Sequence, residues 1–491
     1  MSNLSDLIPA GGGQNNTDFT ASGAIAAGKP VILNSAGTVT QVAETANGAA
    51  GTPANFESAT TERTSSTFDS NSNKVVTVYK DMGNGAGYGT AVVGTVSGNT
   101  ISYGTPVVFQ TATVQFPVVT FDSTNNKVVI SYYYHTGSAN IGYAIVGTVS
   151  GTSISFGSRV ALGSSAISTW ASITYDTNAN RVVISYRDSN NSDYGTSVVG
   201  TVSGTAISFG TPVVYEAANA GYTSSTFDSN SNKVVIAYQD YPNSQYGTAI
   251  VGTVSGTSIS FGTAVVYESA ASSYIAATFD SNSNKVVIAY EDVGNSNSGT
   301  AVVGTVSGTA ISFGTAVVFN SGESRWNAIT FDSNNNVVVV CFRDGSDGAN
   351  KGKSYIGTVS GTSISFGSIF TFEDGSTTDL STTFDSDSNK VVSAYRDNHD
   401  SDYGKGVVIS TTTSNLTSTN LLGVSSAAIS NSASGTINTW GSINEVQSGL
   451  TIGSDYYAQS DGTISTTSTS PAQLLGKAIS ATQINIKDYT G

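Results

Sequence analysis

Apolar positions along this chain come in short bursts, and the bursts recur at a fixed interval. Thr278–Tyr290 reads TFDSNSNKVVIAY: a strand end led by an aromatic, a polar turn, then an almost unbroken apolar run. The same phrase begins at Thr67, Thr120, Thr174, Thr226, Thr330 and Thr383, so successive starts lie 53, 54, 52, 52, 52 and 53 residues apart. A constant period of this size marks a repeat architecture. Within one unit, Tyr274–Phe279 reads as a strand, Asp280–Asn284 as a turn and Lys285–Tyr290 as a second strand. Gly299–Val306 is a third strand, Ser307-Gly308-Thr309 a tight turn, and Ala310–Phe319 a fourth strand in which Gly314 permits a bulge or bend. The unbroken VVIAY run calls for burial on both faces, whereas Ile311, Ser312 and Phe313 alternate as an outer strand would. No window carries a 3.6-residue apolar period, so the chain reads as all-β.

Four short antiparallel strands in about 52 residues is the content of a propeller blade. Burying Val286, Val287, Ile288 and Tyr290 is worth roughly 1.5–3 kcal/mol each, too little for one unit to offset its own ordering entropy. The units must therefore stack. Gly51-TPANFES at the start of the array matches Gly104-TPVVFQT, and the seventh copy lacks the GTVSGTSISFG that follows the first six. One blade is thus expected to take strands from both ends, closing a seven-bladed β-propeller of four-stranded blades over residues 51–414.

The flanking segments echo each other. Gly23-AIAAGKPVILNSAGTVT and Gly449-LTIGSDYYAQSDGTIS each read as strand, turn, strand, with Gly37 and Gly462 nine residues after Gly28 and Gly453. Leu421-LGVSSAAIS is answered by Leu474-LGKAIS. This predicts a small duplicated β-domain, built from residues 17–50 and 415–491 and opened by insertion of the array, with both chain ends at one base. Residues 1–16, MSNLSDLIPAGGGQNN, cannot form a core and read as a disordered tail or a docking arm.

Composition narrows the functional classes. The chain has 491 residues with 53 Gly and 24 Tyr, only 11% charged residues and a net charge of −15, which disfavours a nucleic-acid-binding surface. A single cysteine, Cys341 in VVVVCF, reads as a small core residue and excludes internal disulfides. No apolar stretch is long enough for a membrane span or a secretory leader, which fits synthesis in a reducing cytoplasm.

The copies differ on one face. The turns DSNSNK and VSGTS hardly change, whereas DMGNGAGY, HTGSANIGY, DSNNSDY, DYPNSQY and DGSDGANKGKS diverge. Divergence confined to one face of a rigid scaffold suits a binding surface, although drift in long loops would look the same. Five residues before the repeated aromatic come Arg63, Phe116, Trp170, Tyr222, Tyr274, Trp326 and Asp379. Each begins an innermost strand, so the seven should ring the mouth of a central channel as sugar-stacking and anchoring groups, or simply plug it. Asp81, Asp188, Asp240, Asp292, Asp344 and Asp397, with Tyr134 in the second copy, recur at the end of the second strand and read as loop-stabilising acceptors. The DSNSN turn resembles the start of a calcium loop but lacks its glycine and distant glutamate, and Asp and Asn suit a turn on backbone grounds alone. His135 and His399 have no metal-ligand spacing, so neither metal nor cofactor is expected.

MSNLSDLIPAGGGQNN with GAIAAGKPVILNSAGTVT, and LLGVSSAAIS with GLTIGSDYYAQSDGTIS and LLGKAISATQINI, resemble terminal modules of tailed-bacteriophage virion proteins, particularly from marine phages. GTVSGTSISFG and FDSNSNKVV look like the propeller-type repeats found between such modules. The resemblance implies a virion appendage made in the host cytoplasm. Its terminal domain and arm would attach to other virion proteins and support a homo-oligomer, while the propeller faces a host receptor or surface glycan. A capsid-decorating structural protein is the alternative. A polysaccharide depolymerase would need two paired carboxylates, and Glu323, Glu373, Asp374 and Asp379 show no such pairing, so no catalytic residue is assigned.

Overall fold

The computed structural model describes residues 15–45, 48–85, 87–135, 140–163, 167–417, 419–468 and 473–487. Residues 1–14 of the amino-terminal arm and residues 136–139 of the HTGSANIGY loop lie outside the described residues. The chain divides into two compact units, Met1–Ala46 with Thr412–Gly491, and Asn47–Thr411.

The terminal unit contains two five-stranded antiparallel sheets with one strand order. The first runs Asn16–Thr20, Ser434–Asn438, Leu421–Ser425, Pro30–Leu33, Val39–Gln41. The second runs Ile443–Asn444, Ile484–Ile486, Gln473–Ala478, Asp455–Ala458, Ile464–Ser465. The LLG strand is central in both. A Cβ on Gly423 would lie 2.2 Å from the Asn438 carbonyl oxygen, and one on Gly476 would lie 2.1 Å from that of Asn485, so both glycines answer the same close approach. Ile32, Leu421 and Val424 of the first sheet share a core with Tyr456, Leu475 and Ile484 of the second.

In the repeat unit the strand content departs from the expected partition. The inner strand is sixteen residues long, Val265–Asp280, where the alternation predicts a strand starting at Tyr274. The expected fourth strand is broken at Gly314: Ala310–Phe313 pairs with one half of the third strand, and Val317–Val318 pairs with its other half. The second segment then continues without interruption into the inner strand of the next copy, Val317–Asp332. Gly314 marks the break because a Cβ there would sit 1.8 Å from the carbonyl oxygen of Thr362 in the following copy. Local alternation could not reveal this, because the clash comes from a neighbour 48 residues away.

The inner strands Ala54–Asp69, Val107–Asp122, Ile167–Asp176, Val213–Asp228, Val265–Asp280, Val317–Asp332 and Phe370–Asp385 lie side by side in that order, and the last lies beside the first. The circuit is completed by Tyr403–Ser410, which pairs with Ala49–Ala50 and with the strand beginning at Ala54.

The second strands form the core. Val286, Val287, Ile288, Ala289 and Tyr290 are all fully buried, as their unbroken apolar run implies. Cys341 is buried among them, and burial pushes its thiol pKa up to about 12. Neighbouring copies are pinned by a tyrosine hydroxyl that donates to a glutamate 22 residues earlier: Tyr79 to Glu57 (3.0 Å), Tyr238 to Glu216 (2.9 Å), Tyr290 to Glu268 (3.0 Å) and Tyr395 to Glu373 (2.9 Å). No helix among the described residues is long and apolar enough to cross a membrane.

Candidate functional site

Each inner strand carries a register shift at the same place. In the fifth copy Ser273 pairs with Glu291, and the next pair is Ala276 with Ala289, so Tyr274 and Ile275 stand against a single partner position. This is a β-bulge, a device that redirects a side chain. The residue at the bulge has positive φ in all seven copies: Arg63, Phe116, Trp170, Tyr222, Tyr274, Trp326 and Asp379, with φ between 44° and 57°. Bulky residues rarely adopt this region, and each costs roughly 1–2 kcal/mol there.

The bulges bring all seven residues to one cavity of about 190 Å³. Their rings form an unbroken arc: Phe116 to Trp170 at 5.5 Å between centroids, Trp170 to Tyr222 at 4.0 Å, Tyr222 to Tyr274 at 5.2 Å, and Tyr274 to Trp326 at 5.3 Å. Arg63 closes the circle. Its guanidinium lies 4.2 Å from the Phe116 centroid and 5.5 Å from the Trp326 centroid, reaching past Asp379 to do so. The rings pack on one another and still enclose a space.

Asp379 is the buried polar member, only 6% exposed. Its Oδ1 has no hydrogen-bond partner, and Arg63 Nη1 stands 3.6 Å away, an ion pair beyond hydrogen-bond range. Burial raises the Asp379 pKa against the opposing pull of Arg63 and Arg396.

Sequence reading passed over a second circle. The residue after the core aromatic of each second strand is Lys80, Tyr133, Arg187, Gln239, Glu291, Arg343 or Arg396, and each pairs across to the residue just before the bulge. Lys80 meets Glu62 at 2.9 Å, Arg325 meets Glu291 at 3.3 Å and Tyr133 stacks on Phe116. Burial pushes the Glu291 pKa up to about 6, opposed by Arg325. Its signal was available: this position takes five residue types across the seven copies, while the position before it is Tyr in six and the one after it Asp in six.

Below the mouth the channel continues through a cavity of about 250 Å³ lined largely by small residues such as Ser65, Ser172, Ser224 and Ser381. It ends in one of about 490 Å³ lined by the repeated Thr–Phe pairs, Tyr175 replacing one phenylalanine.

The recurring acids have local work. Asp81 accepts from the backbone N–H of Gly83 and Asn84, Asp292 from that of Asn295, and Asp397 from those of His399 and Asp400. The turn acids behave alike: Asp280 accepts from the N–H of Asn282 and Ser283, both at 2.9 Å. Of the carboxylates weighed for catalysis, Glu323 pairs with Arg325 (2.6 Å) and Asp374 with Lys351 (2.9 Å), while Glu373 accepts from the Tyr395 hydroxyl and so belongs to the recurring set with Glu57, Glu216 and Glu268. Each is engaged by its own neighbour.

Fold and site together define an all-β repeat protein with a diverged aromatic mouth. No protein-family model and no curated protein matches the sequence. Solved structures do. The BP39L lectin from Burkholderia pseudomallei is similar with a TM-score of 0.51 and 11% identity, over 74% of this chain and 99% of that one. AofleA from Arthrobotrys oligospora has a TM-score of 0.41 at 9% identity, over 69% and 93%. The SapL1 lectin, solved with alpha methyl fucoside, has 0.36 at 14%, over 63% and 96%. The likeness to BP39L is one of fold.

Proposed function

We propose that the protein is a receptor-binding component of a bacteriophage virion whose repeat unit, a seven-bladed β-propeller inserted into a duplicated β-domain, engages a cell-surface glycan through its channel mouth. One observation carries the reading: seven consecutive copies hold a non-glycine residue in a costly backbone conformation, and that conformation aims five aromatic side chains at one cavity. Strain retained at every copy is expected where the side chain serves a contact outside its own fold. The lectin fold neighbour supports a carbohydrate-binding rather than a catalytic role, and the resemblance of the terminal segments to phage virion modules supports attachment, as a homo-oligomer, to other virion proteins.

The test is the double variant Trp170→Ala with Trp326→Ala. Removing two anchoring rings should weaken adsorption to host cells by ~30-fold, the scale of one interface hot spot. Thermal unfolding should remain a single cooperative transition. Full adsorption by a folded variant would leave a purely structural virion protein as the better account.

A further inference from the structure

We propose that the channel mouth is a cage for an alkylammonium group, for which Arg63 is the internal stand-in. The inference rests on the reading that this mouth binds the receptor and says what chemical group the receptor must offer. Three observations converge. The wall is an arc of five aromatic rings tilted against one another with centroids 4.0 to 5.5 Å apart, and aromatic faces attract cations through their quadrupole, which suits quaternary ammonium groups. The same ring holds a carboxylate, Asp379, that is more than nine-tenths buried and whose Oδ1 has no hydrogen-bond partner. The space between is already claimed by a cation: the Arg63 guanidinium lies over Phe116 and Trp326 and faces Asp379 at 3.6 Å.

A neutral sugar ring could be met through its hydroxyls by Thr64, Thr223 and Asn327 on the lining, but it would use neither the buried carboxylate nor the ring faces that a cation already occupies. The Arg63 side chain is 30% exposed and can swing outward, leaving an anionic aromatic box. At about 190 Å³ the cavity is below the 300–1,000 Å³ of sites for drug-sized ligands, so it suits a single substituent rather than an oligosaccharide. The alkylammonium could belong to an unacetylated amino sugar or to a choline-type substituent. Because all seven mouth residues line a single cavity, there is one such cage per chain despite the repeats.

Calorimetric titration of the full chain tests this with choline, its neutral isostere 3,3-dimethylbutan-1-ol, and glucosamine and N-acetylglucosamine trisaccharides. Choline should bind one to one and outcompete the neutral isostere by ~10-fold, as expected when a desolvated cation–π contact is lost. Arg63→Ala and Arg63→Asn, the latter better suited to positive φ, should tighten choline by removing the internal competitor. Asp379→Asn should weaken it. Preference for the glucosamine trisaccharide would assign the cation to a glycan, and preference for choline to a choline-bearing surface. Equal binding of choline and its isostere, or no gain in folded Arg63 variants, would overturn the cage. Trp326-dependent binding of the N-acetylated sugar would do so while leaving receptor recognition at the mouth intact. Adsorption indifferent to the tryptophans would remove both.

Discussion

The two ends of the central channel use the same backbone conformation and fill it with different residues. At the conserved end, the last residue of every DSNSN-type turn has positive φ, between 53° and 56°, and in all seven copies it is asparagine: Asn73, Asn126, Asn180, Asn232, Asn284, Asn336 and Asn389. Asparagine tolerates this region because its short polar side chain bonds locally. At the mouth the same range holds Arg, Phe, Trp, Tyr and Asp, and no asparagine or glycine. Where the backbone alone decides, one residue is repeated. Where a residue poorly suited to the backbone persists and varies, something other than the backbone selects it. The turn end is built for folding; on the proposed reading, the mouth is built for contact.

This contrast can be broken at three points. The largest effect is expected at the turn end, from Asp332→Ala. Asp332 is fully buried and accepts from the N–H of Asn334 and Asn335, from Asn335 Nδ2 and from the Thr411 hydroxyl. Urea unfolding should show a loss of ~3 kcal/mol, from several charge-assisted bonds and stranded donors, with choline affinity unchanged. A loss below about 1 kcal/mol would deny the turns their structural role.

The second effect belongs to the mouth and depends on pH. Burial raises the Glu291 carboxyl from 4.5 to about 6 in the folded chain. The folded state therefore holds this proton more tightly than the unfolded one, so the group's contribution to stability falls as pH rises from about 4.5 to about 6, and is level above. Relative to Glu291→Gln, the native chain should lose ~1–2 kcal/mol of unfolding free energy between pH 4 and pH 7. A native chain that instead gains stability relative to Glu291→Gln across this range would show that the Arg325 pair, not burial, governs the site.

The smallest effect sharpens the comparison directly. At Tyr274 the glycine variant should be more stable than the alanine variant by ~1 kcal/mol, because only glycine adopts positive φ without cost. At Asn284 the same comparison should again favour glycine, while the native asparagine should differ little from it. An alanine variant of Tyr274 as stable as the glycine one would remove the strain argument.

Much of this was legible along the chain, and the physical division is clear. Turn acids, the Asn that closes each turn and the buried second strands depend on residues within a few positions, so a repeated phrase such as TFDSNSNKVVIAY already encodes them. The seven mouth residues could be placed together because a period of fixed length puts equivalent positions at equivalent places once the units close a circuit. Their positive φ could not be read, since aromatic residues ordinarily signal plain strand. Nor could the break at Gly314, which answers a carbonyl in the next copy, or the Tyr–Glu pairs that join copies, or the reach of Arg63 from the first copy past Asp379 of the seventh to Trp326 of the sixth. By itself the sequence determined what each copy builds, because hydrogen bonds and turn geometry act over a few residues. Which copies meet, and which charge faces which ring across the axis, was decided only by the tertiary structure, because closure brings together groups hundreds of residues apart that carry no local sign of one another.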